Sequence, residues 1–152
     1  MKIALCFAGQ PRFIDRMNFD NLTKDHEVVT YAHFWWDESY RGDFFAWNSN
    51  LKYPDDYDPI ADFEEKMKPK GLKWEEYPKF DLSGFKMVSQ MEFPLDDTVV
   101  RQSIFRQKCQ WTSVKNAVNM VDEDFDLVIR MRTDVEFPER VPLEECRGDG
   151  LF

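Results

Sequence analysis

The apolar residues of this chain fall into short runs that indicate strands. A strand is predicted at 2–8, where residues 3–8 form an unbroken apolar run, and another at 126–132, which has an apolar centre, as expected of strands buried in a parallel sheet. Residues 27–34 are rich in β-branched and aromatic side chains and predict another strand. Two shorter strands are expected at 71–77 and 85–91. The pattern therefore predicts a sheet whose strands are well separated along the chain.

Helical spacing fills the intervals between these strands. Residues 13–24 are expected to be helical, and Asp58 and Pro59 predict the N-cap and first turn of a helix that ends before Pro69. The clearest helix is expected at 97–121, where apolar residues recur at steps of three, four or seven. Its predicted packing stripe comprises Val100, Ile104, Trp111, Val114, Val118 and Val121, widened by Phe105, Cys109 and Ala117, with Arg101, Lys108, Lys115, Asn116 and Asn119 largely opposite.

Alternating strands and helices predict the α/β class, with a mixed, mostly parallel sheet flanked by helices. The length of 152 residues and the 43% hydrophobic content suit one domain, 1–152, with its own core. No apolar run reaches the roughly 18 residues that span a bilayer, and no signal peptide is evident, so a cytoplasmic location is expected. Cys6, Cys109 and Cys146 are too few for a disulfide framework and are expected to be reduced, the first two buried.

Charge is distributed unevenly along the chain. The net charge of −9 argues against a nucleic-acid binder, which would need a basic footprint. Residues 55–65 contain six acids and no base, whereas residues 99–121 contain four bases and no acid. The basic helix is interpreted either as a site for a small anion or as a solvated face, and the sequence leaves both readings open.

Three predicted strands are followed by residues suited to ligand binding, and the first of these groups is Gly9, Gln10 and Arg12. In open α/β sheets, ligands bind at the carboxyl ends of the strands. Glycine lets a ligand approach the backbone, and the arginine fork can hold a phosphate. The alternative is that this segment is a simple turn.

The second group follows residues 27–34. Asp37 supplies a carboxylate, and His33, Trp35 and Trp36 supply rings on which a ligand could stack. The alternatives are that His33 is a hydrogen-bonded structural histidine and that the two tryptophans belong to the core.

The third group surrounds the end of the last strand. Arg130 and Arg132 share a strand face, and Asp134 follows them. Because buried charge is costly unless it is paired, these arginines are expected either to bind a ligand or to pair with Asp134 and Glu136. With a phosphate ligand, one carboxylate is compatible with Mg²⁺ or Mn²⁺.

Four segments, 1–12, 32–35, 101–115 and 126–134, together resemble GT-A-fold glycosyltransferases. The resemblance is to the WavE type of lipopolysaccharide-synthesis enzyme and to the enzymes with which large viruses decorate capsid glycans. It implies transfer of a sugar from a nucleoside diphosphate sugar to a glycan acceptor, which is a cell-surface polysaccharide or a viral glycoprotein glycan. The family holds a metal on the diphosphate with an Asp-x-Asp motif.

The resemblance assigns roles to the residues at the strand ends. Asp134 matches the last acid of the metal motif, with Mn²⁺ or Mg²⁺ as the implied cofactor, whereas an arginine occupies the place of the first acid. The implied donor-binding residues are Gly9, Gln10, Arg12, Asp37, Arg130 and Arg132. No residue is assigned as catalytic base.

The family usually takes its acceptor site and base from a C-terminal half, and this chain stops soon after Asp134, so a truncated transferase is expected. A non-catalytic nucleotide-sugar or glycan-binding module, or an assembly module, is the main alternative. A metal-dependent phosphatase or nucleotidyltransferase is a weaker one. No nucleic-acid partner and no transmembrane segment are expected.

Overall fold

The structure, a computed structural model, describes residues 1–40, 53–80 and 97–146. Within these residues the chain alternates strands with helices, and the α/β class is confirmed. The four strands are β1 (Lys2–Gly9), β2 (Glu27–Trp35), β3 (Gly71–Glu75) and β4 (Leu127–Met131). The helices are α1 (Asp20–Thr23), α2 (Pro59–Met67) and α3 (Asp97–Val118), with 3₁₀ turns at Ile14–Arg16, Glu38–Tyr40 and Leu143–Cys146.

The four strands form one sheet in the order β3-β2-β1-β4, and every neighbouring pair is parallel. Central β1 places Cys6 opposite Tyr31 of β2 and opposite Arg130 of β4. The strands expected at 2–8, 27–34, 71–77 and 126–132 are therefore confirmed within a residue or two of their predicted ends. The strand expected at 85–91 lies outside the described residues.

One face of the sheet carries large apolar side chains and is covered by α2. Phe63 of α2 lies with its ring centroid 5.1 Å from that of Phe7 and 4.8 Å from that of Phe34, both at steep edge-to-face angles. The predicted start of α2 is confirmed, since the Asp58 side chain accepts hydrogen bonds from the backbone N–H groups of Ile60 and Ala61. This face holds the larger of the two apolar clusters.

The opposite face of the sheet is covered by α3. Cys109, Ser113 and Ala117 are spaced four residues apart on the helix and are buried against the sheet. The predicted stripe is therefore confirmed at Cys109 and Ala117 and wrong at Trp111 and Val118, which are 71% and 39% exposed. The physical reason is size, because β1 presents the small side chains of residues 4, 6 and 8 here. A helix with small residues can approach such a surface closely, whereas a tryptophan cannot fit.

Residues 13–24 do not form the single helix expected there. Phe13 adopts a left-handed backbone conformation with φ of 50°, and a 3₁₀ turn follows it. Asn18 then forms an isolated parallel bridge with Glu136 before the short helix α1 begins. The segment breaks in this way because Ile14 and Phe19 each have to reach the core beside β1.

Cys6 and Cys109 are buried, as expected, and all three cysteines are free thiols. Burial raises the pKa of Cys6 and of Cys109 to about 11. A thiol with such a pKa stays protonated at neutral pH and is a weak nucleophile. These two cysteines are packing residues.

Candidate functional site

The order of the strands reverses at one point of the sheet. From β1 the chain proceeds to β2 and β3 on one side, and it then returns through α3 to β4 on the other side of β1. The carboxyl ends of β1 and β4 therefore border a crevice at a topological switch point, which is where ligands bind in open α/β sheets. Gly9 ends β1 and Met131 ends β4, so the first and third predicted groups meet there.

The β1 side of the crevice presents a glycine and an arginine. Gly9 has a φ of 114°, and no heavy atom lies within 4 Å of the position that a Cβ would occupy. Arg12 donates from Nε to Oε1 of Gln10 over 2.8 Å, and its Nη2 contacts the same oxygen. Among the described residues no carboxylate pairs with Arg12, so a neutral amide orients the guanidinium without cancelling its charge.

The β4 side of the crevice is joined to the β1 side by a threonine. The backbone N–H of Arg12 donates to Oγ1 of Thr133 over 2.9 Å, and Thr133 is buried. Beside it, Arg132 donates to both oxygens of Asp134 over 2.8 and 2.6 Å. The ion pair that the sequence allowed as one alternative is therefore present. Burial would raise the pKa of Asp134, but the hydrogen bonds and charge of Arg132, with Arg12 nearby, hold that pKa below its ordinary value.

Tyrosine side chains support the same crevice from outside the sheet. The hydroxyl of Tyr53 donates to the carbonyl oxygen of Pro11. Tyr77 lies close enough to Gln10 and Arg12 for both to lower its pKa, although burial dominates and raises that pKa above its ordinary value. These tyrosines hold the segment after β1 in place, and composition alone gave no signal for them.

The other two residues predicted for the donor site stand on the α3 side of β4 and in the turn after β2. Arg130 points from the middle of β4 to the α3 side of the sheet, where it is exposed, although the sequence suggested a buried position. It forms no ion pair within the described part of the chain. Asp37 accepts hydrogen bonds from the backbone N–H and the hydroxyl of Ser39, which lower its pKa. Asp37 therefore stabilises its own turn after β2.

Below Gly9 lies a buried polar network that the sequence did not predict. Ser113 Oγ accepts from the backbone N–H of Gly9 over 2.8 Å and lies 2.7 Å from the carbonyl oxygen of His33. His33 Nδ1 lies 3.0 Å from the same Oγ, and its Nε2 lies 2.9 Å from Oε1 of Glu75 and 3.0 Å from Nδ2 of Asn116. The network joins β1, β2, β3 and α3 directly beneath the crevice.

The order serine, histidine, carboxylate is that of a hydrolase triad, but this network is structural. Ser113 is fully buried, and its oxygen is already shared by Gly9 and His33. Burial lowers the pKa of His33 despite the opposing effect of Glu75, so the imidazole is neutral at pH 7. The reading of His33 as a hydrogen-bonded structural histidine is thus confirmed. Asn116, expected on the outer side of α3, faces the sheet instead.

The described residues of the crevice form a cluster of arginines rather than a metal cage. Nowhere in residues 1–40, 53–80 and 97–146 do three histidine, cysteine or acidic side chains converge in a way that could hold a metal ion. Asp134 is the carboxylate at the crevice, and both of its oxygens accept from Arg132.

Comparisons with protein-family models, with curated proteins and with solved structures give no match to this chain. Within its described residues, no helix is both long enough and apolar enough to cross a membrane.

Proposed function

We propose that this chain is a glycosyltransferase domain that binds a nucleoside diphosphate sugar at the β1–β4 crevice and transfers the sugar to a glycan acceptor. The observation that carries the proposal is the meeting of Gly9, Arg12 and Arg132 at the topological switch point of a parallel sheet. A phosphate-bearing ligand is the class that this combination suits best.

The chemistry of the transfer explains why arginines are useful here. Breaking the bond from the sugar to the diphosphate leaves negative charge on the departing nucleotide, and fixed cations stabilise that charge in the transition state. Gln10 orients the guanidinium of Arg12, and because no described carboxylate pairs with Arg12, its charge can act on a phosphate at the crevice. Gly9 leaves room for the ligand against the backbone.

Arg132 has a second role in this proposal because it is shared with Asp134. The Arg132 side chain is 52% exposed, whereas that of Asp134 is 16% exposed, so the arginine is the accessible member of the pair. Arg132 can turn one edge of its guanidinium towards a phosphate while Asp134 holds the other edge. If a Mn²⁺ or Mg²⁺ ion takes part, it would bind Asp134 and the donor phosphates.

Calorimetric titration with nucleoside diphosphates and their sugars, with and without Mn²⁺, tests this assignment. Arg132→Ala should abolish nucleotide binding while the protein remains folded, and Arg132→Lys should restore binding only in part because a point charge cannot form two parallel hydrogen bonds. Arg12→Ala should also weaken binding. The matched control is Arg140→Ala. Arg140 is similarly exposed, but it pairs with Asp25, which precedes β2 and therefore lies at the amino ends of the strands, opposite the crevice.

The metal is tested by a separate variant. If Asp134 holds a cation, Asp134→Asn should fold and bind the nucleoside diphosphate without any enhancement by Mn²⁺. If it only pairs with Arg132, the enhancement should be the same in both proteins. Full Mn²⁺ enhancement in Asp134→Asn would contradict the assignment of the metal to this residue.

The alternative is a module that binds the donor without turnover. One observation favours it, since the two carboxylates predicted for the described site are both engaged, Asp134 with Arg132 and Asp37 with Ser39. An inverting transfer needs a base to accept the proton of the acceptor hydroxyl. Release of nucleoside diphosphate from the sugar donor distinguishes the two functions, because a binding module gives affinity without release.

A further inference from the structure

The two helices that cover the sheet differ in charge. The six acids of residues 55–65 lie in and just before α2, which packs on the face that carries Phe7 and Phe34. The four bases of residues 99–121 lie in α3, which packs on the opposite face. Four acids follow α3 directly, and two of them, Asp122 and Glu123, pair with Lys70 and Lys2. The basic character therefore belongs to α3 itself, in a protein whose net charge is −9.

The side of α3 that faces away from the sheet carries a continuous line of residues, which we call the outer stripe. Its members recur at steps of three and four and therefore lie on one side of a helix with 3.6 residues per turn. They lie far around the helix from the buried residues Cys109, Ser113 and Ala117. The outer stripe consists of Arg101, Ile104, Lys108, Trp111, Lys115 and Val118. Ile104 and Lys108 are half-buried, and Nζ of Lys108 lies 4.4 Å from the ring centroid of Phe80, so Arg101 and Lys115 are the exposed cations of the stripe.

Trp111 is the residue of the outer stripe that calls for an explanation. It is 71% exposed, more than any other large apolar residue described, and it stands one turn from Lys108 and one turn from Lys115. Val118, which is smaller and lies two helical turns after Trp111, is 39% exposed. An exposed tryptophan among lysines, with no acid nearby in the helix, gains nothing for folding.

We propose that the outer stripe of α3 binds an anionic lipid surface. Tryptophan is favoured at the level of lipid headgroups, where its ring is apolar and its N–H remains hydrated. Lysine and arginine beside it attract acidic headgroups and can lay their methylene stems along the apolar boundary. The combination of cations with an exposed ring suits this surface better than a free anion, which would leave Trp111 in water.

The acids of residues 55–65 do not prevent this orientation. Between the outer stripe and α2 lie the whole of α3, whose diameter with side chains is about 10 Å, and the sheet itself. The Debye length at physiological ionic strength is about 8 Å, so the acids of residues 55–65 are screened from a bilayer that touches α3.

Flotation with vesicles tests the proposal on the whole chain. The protein should bind vesicles that contain phosphatidylglycerol, should bind those of phosphatidylcholine alone far less, and should be released by salt. Lys115→Gln and Arg101→Gln should each weaken binding about fivefold, the factor expected for one basic residue near an anionic surface. Trp111→Ser should weaken binding at least as much. Because Trp111 is exposed, the melting temperature of this variant should equal that of the parent protein.

Matched controls distinguish binding by the outer stripe from nonspecific binding through any exposed cation or apolar ring. Trp74→Ser removes a second exposed tryptophan among the described residues, on β3, and Lys24→Gln removes an exposed cation after α1. Both should bind vesicles as the parent protein does. The proposal fails if the parent does not bind phosphatidylglycerol vesicles at low salt, or if the control variants lose binding as the stripe variants do. It also fails if polyglutamate binds as tightly as vesicles, which would indicate an acidic protein partner.

Discussion

The two faces of the sheet stabilise the protein in different ways. On the α2 face the rings of Phe7, Phe34 and Phe63 interlock at centroid distances of about 5 Å in a large apolar cluster. On the α3 face the small residues of β1 meet small residues of α3, and Tyr31 and a fully buried histidine and serine lie beside them. The first face supplies buried apolar area, and the second brings a helix close to the backbone of β1.

This difference shows where precision is needed. The carboxyl end of β1 is held by the α3 face, since Ser113 accepts from Gly9 and thereby fixes the glycine at the candidate site. Bulky residues could not provide that hydrogen bond, and a fluid apolar contact would not fix a backbone N–H. The α2 face holds no backbone group of the candidate site, and its cluster requires only apolar side chains of the right size.

The largest effect is expected on the α2 face. Phe63→Ala should lower the free energy of unfolding by about 3 to 5 kcal/mol, because Phe63 is fully buried and its removal leaves a cavity between two aromatic rings. Urea unfolding followed by circular dichroism measures the change. Trp74→Ala, which truncates an exposed ring of β3, should cost far less. Equal losses in the two variants would show that this face is not the main core.

A smaller effect is expected from enlarging the α3 face. Ala117→Leu should lower the free energy of unfolding by about 1 to 3 kcal/mol, because Ala117 has no exposed surface and the added atoms would push α3 away from β1. Val118→Phe adds four carbons where Ala117→Leu adds three, but at a position that is 39% exposed, and it should be nearly neutral. A larger loss in Val118→Phe would show that Val118, and not Ala117, packs against the sheet.

The buried histidine predicts a dependence of stability on pH. Burial lowers the pKa of His33 below its ordinary value of 6.5. As the pH falls, the imidazole of the unfolded chain therefore takes up a proton at a higher pH than the imidazole of the folded protein. This contribution to stability is complete above pH 6.5 and is lost as the pH falls towards the pKa in the folded state. Glu75, whose pKa is lowered chiefly by His33, acts in a separate window below 4.5.

His33→Gln removes the titrating group from the higher of these two windows. Unfolding free energies measured by urea from pH 7.5 down to about pH 5 should therefore fall less steeply in the variant than in the parent protein. The variant should also be less stable at neutral pH, because glutamine cannot reproduce all the hydrogen bonds of the imidazole. Parallel curves for the two proteins would show that another group governs stability in this range.

The strands and the class of fold could be predicted from the sequence because a strand buried on both faces needs an apolar run, whatever packs against it. The face of α3 could not, because the prediction gave weight to large apolar residues such as Trp111. What decides the face is the size of the residues opposite, and Ala4 and Cys6 are distant in sequence. The break at Phe13 escaped prediction for a similar reason. Its left-handed conformation lets the residues that follow it pack against core residues that are distant in sequence.

The candidate site was predicted in part. Gly9, Arg12 and Arg132 follow strands that were identified correctly, so their meeting follows from the order of a parallel sheet. The network of Ser113 and Glu75 beneath them could not be predicted, because its members come from α3 and β3 and carry no motif. A serine at the spacing of a buried helix face is the signal that would have indicated it.

The smallest effect is expected at Arg130, and it separates the two positions of arginine on β4. Arg130 is exposed on the α3 side within the strand, whereas Arg132 follows the strand and pairs with Asp134. Arg130→Ala should change the free energy of unfolding by less than about 0.5 kcal/mol, as exposed positions without special contacts do. Because its side chain leaves β4 away from the crevice, nucleotide affinity in the calorimetric titration should equal that of the parent protein, while Arg132→Ala loses binding. A loss of affinity in Arg130→Ala equal to that in Arg132→Ala would place the donor phosphates over the α3 side of β4 and move the site away from the crevice.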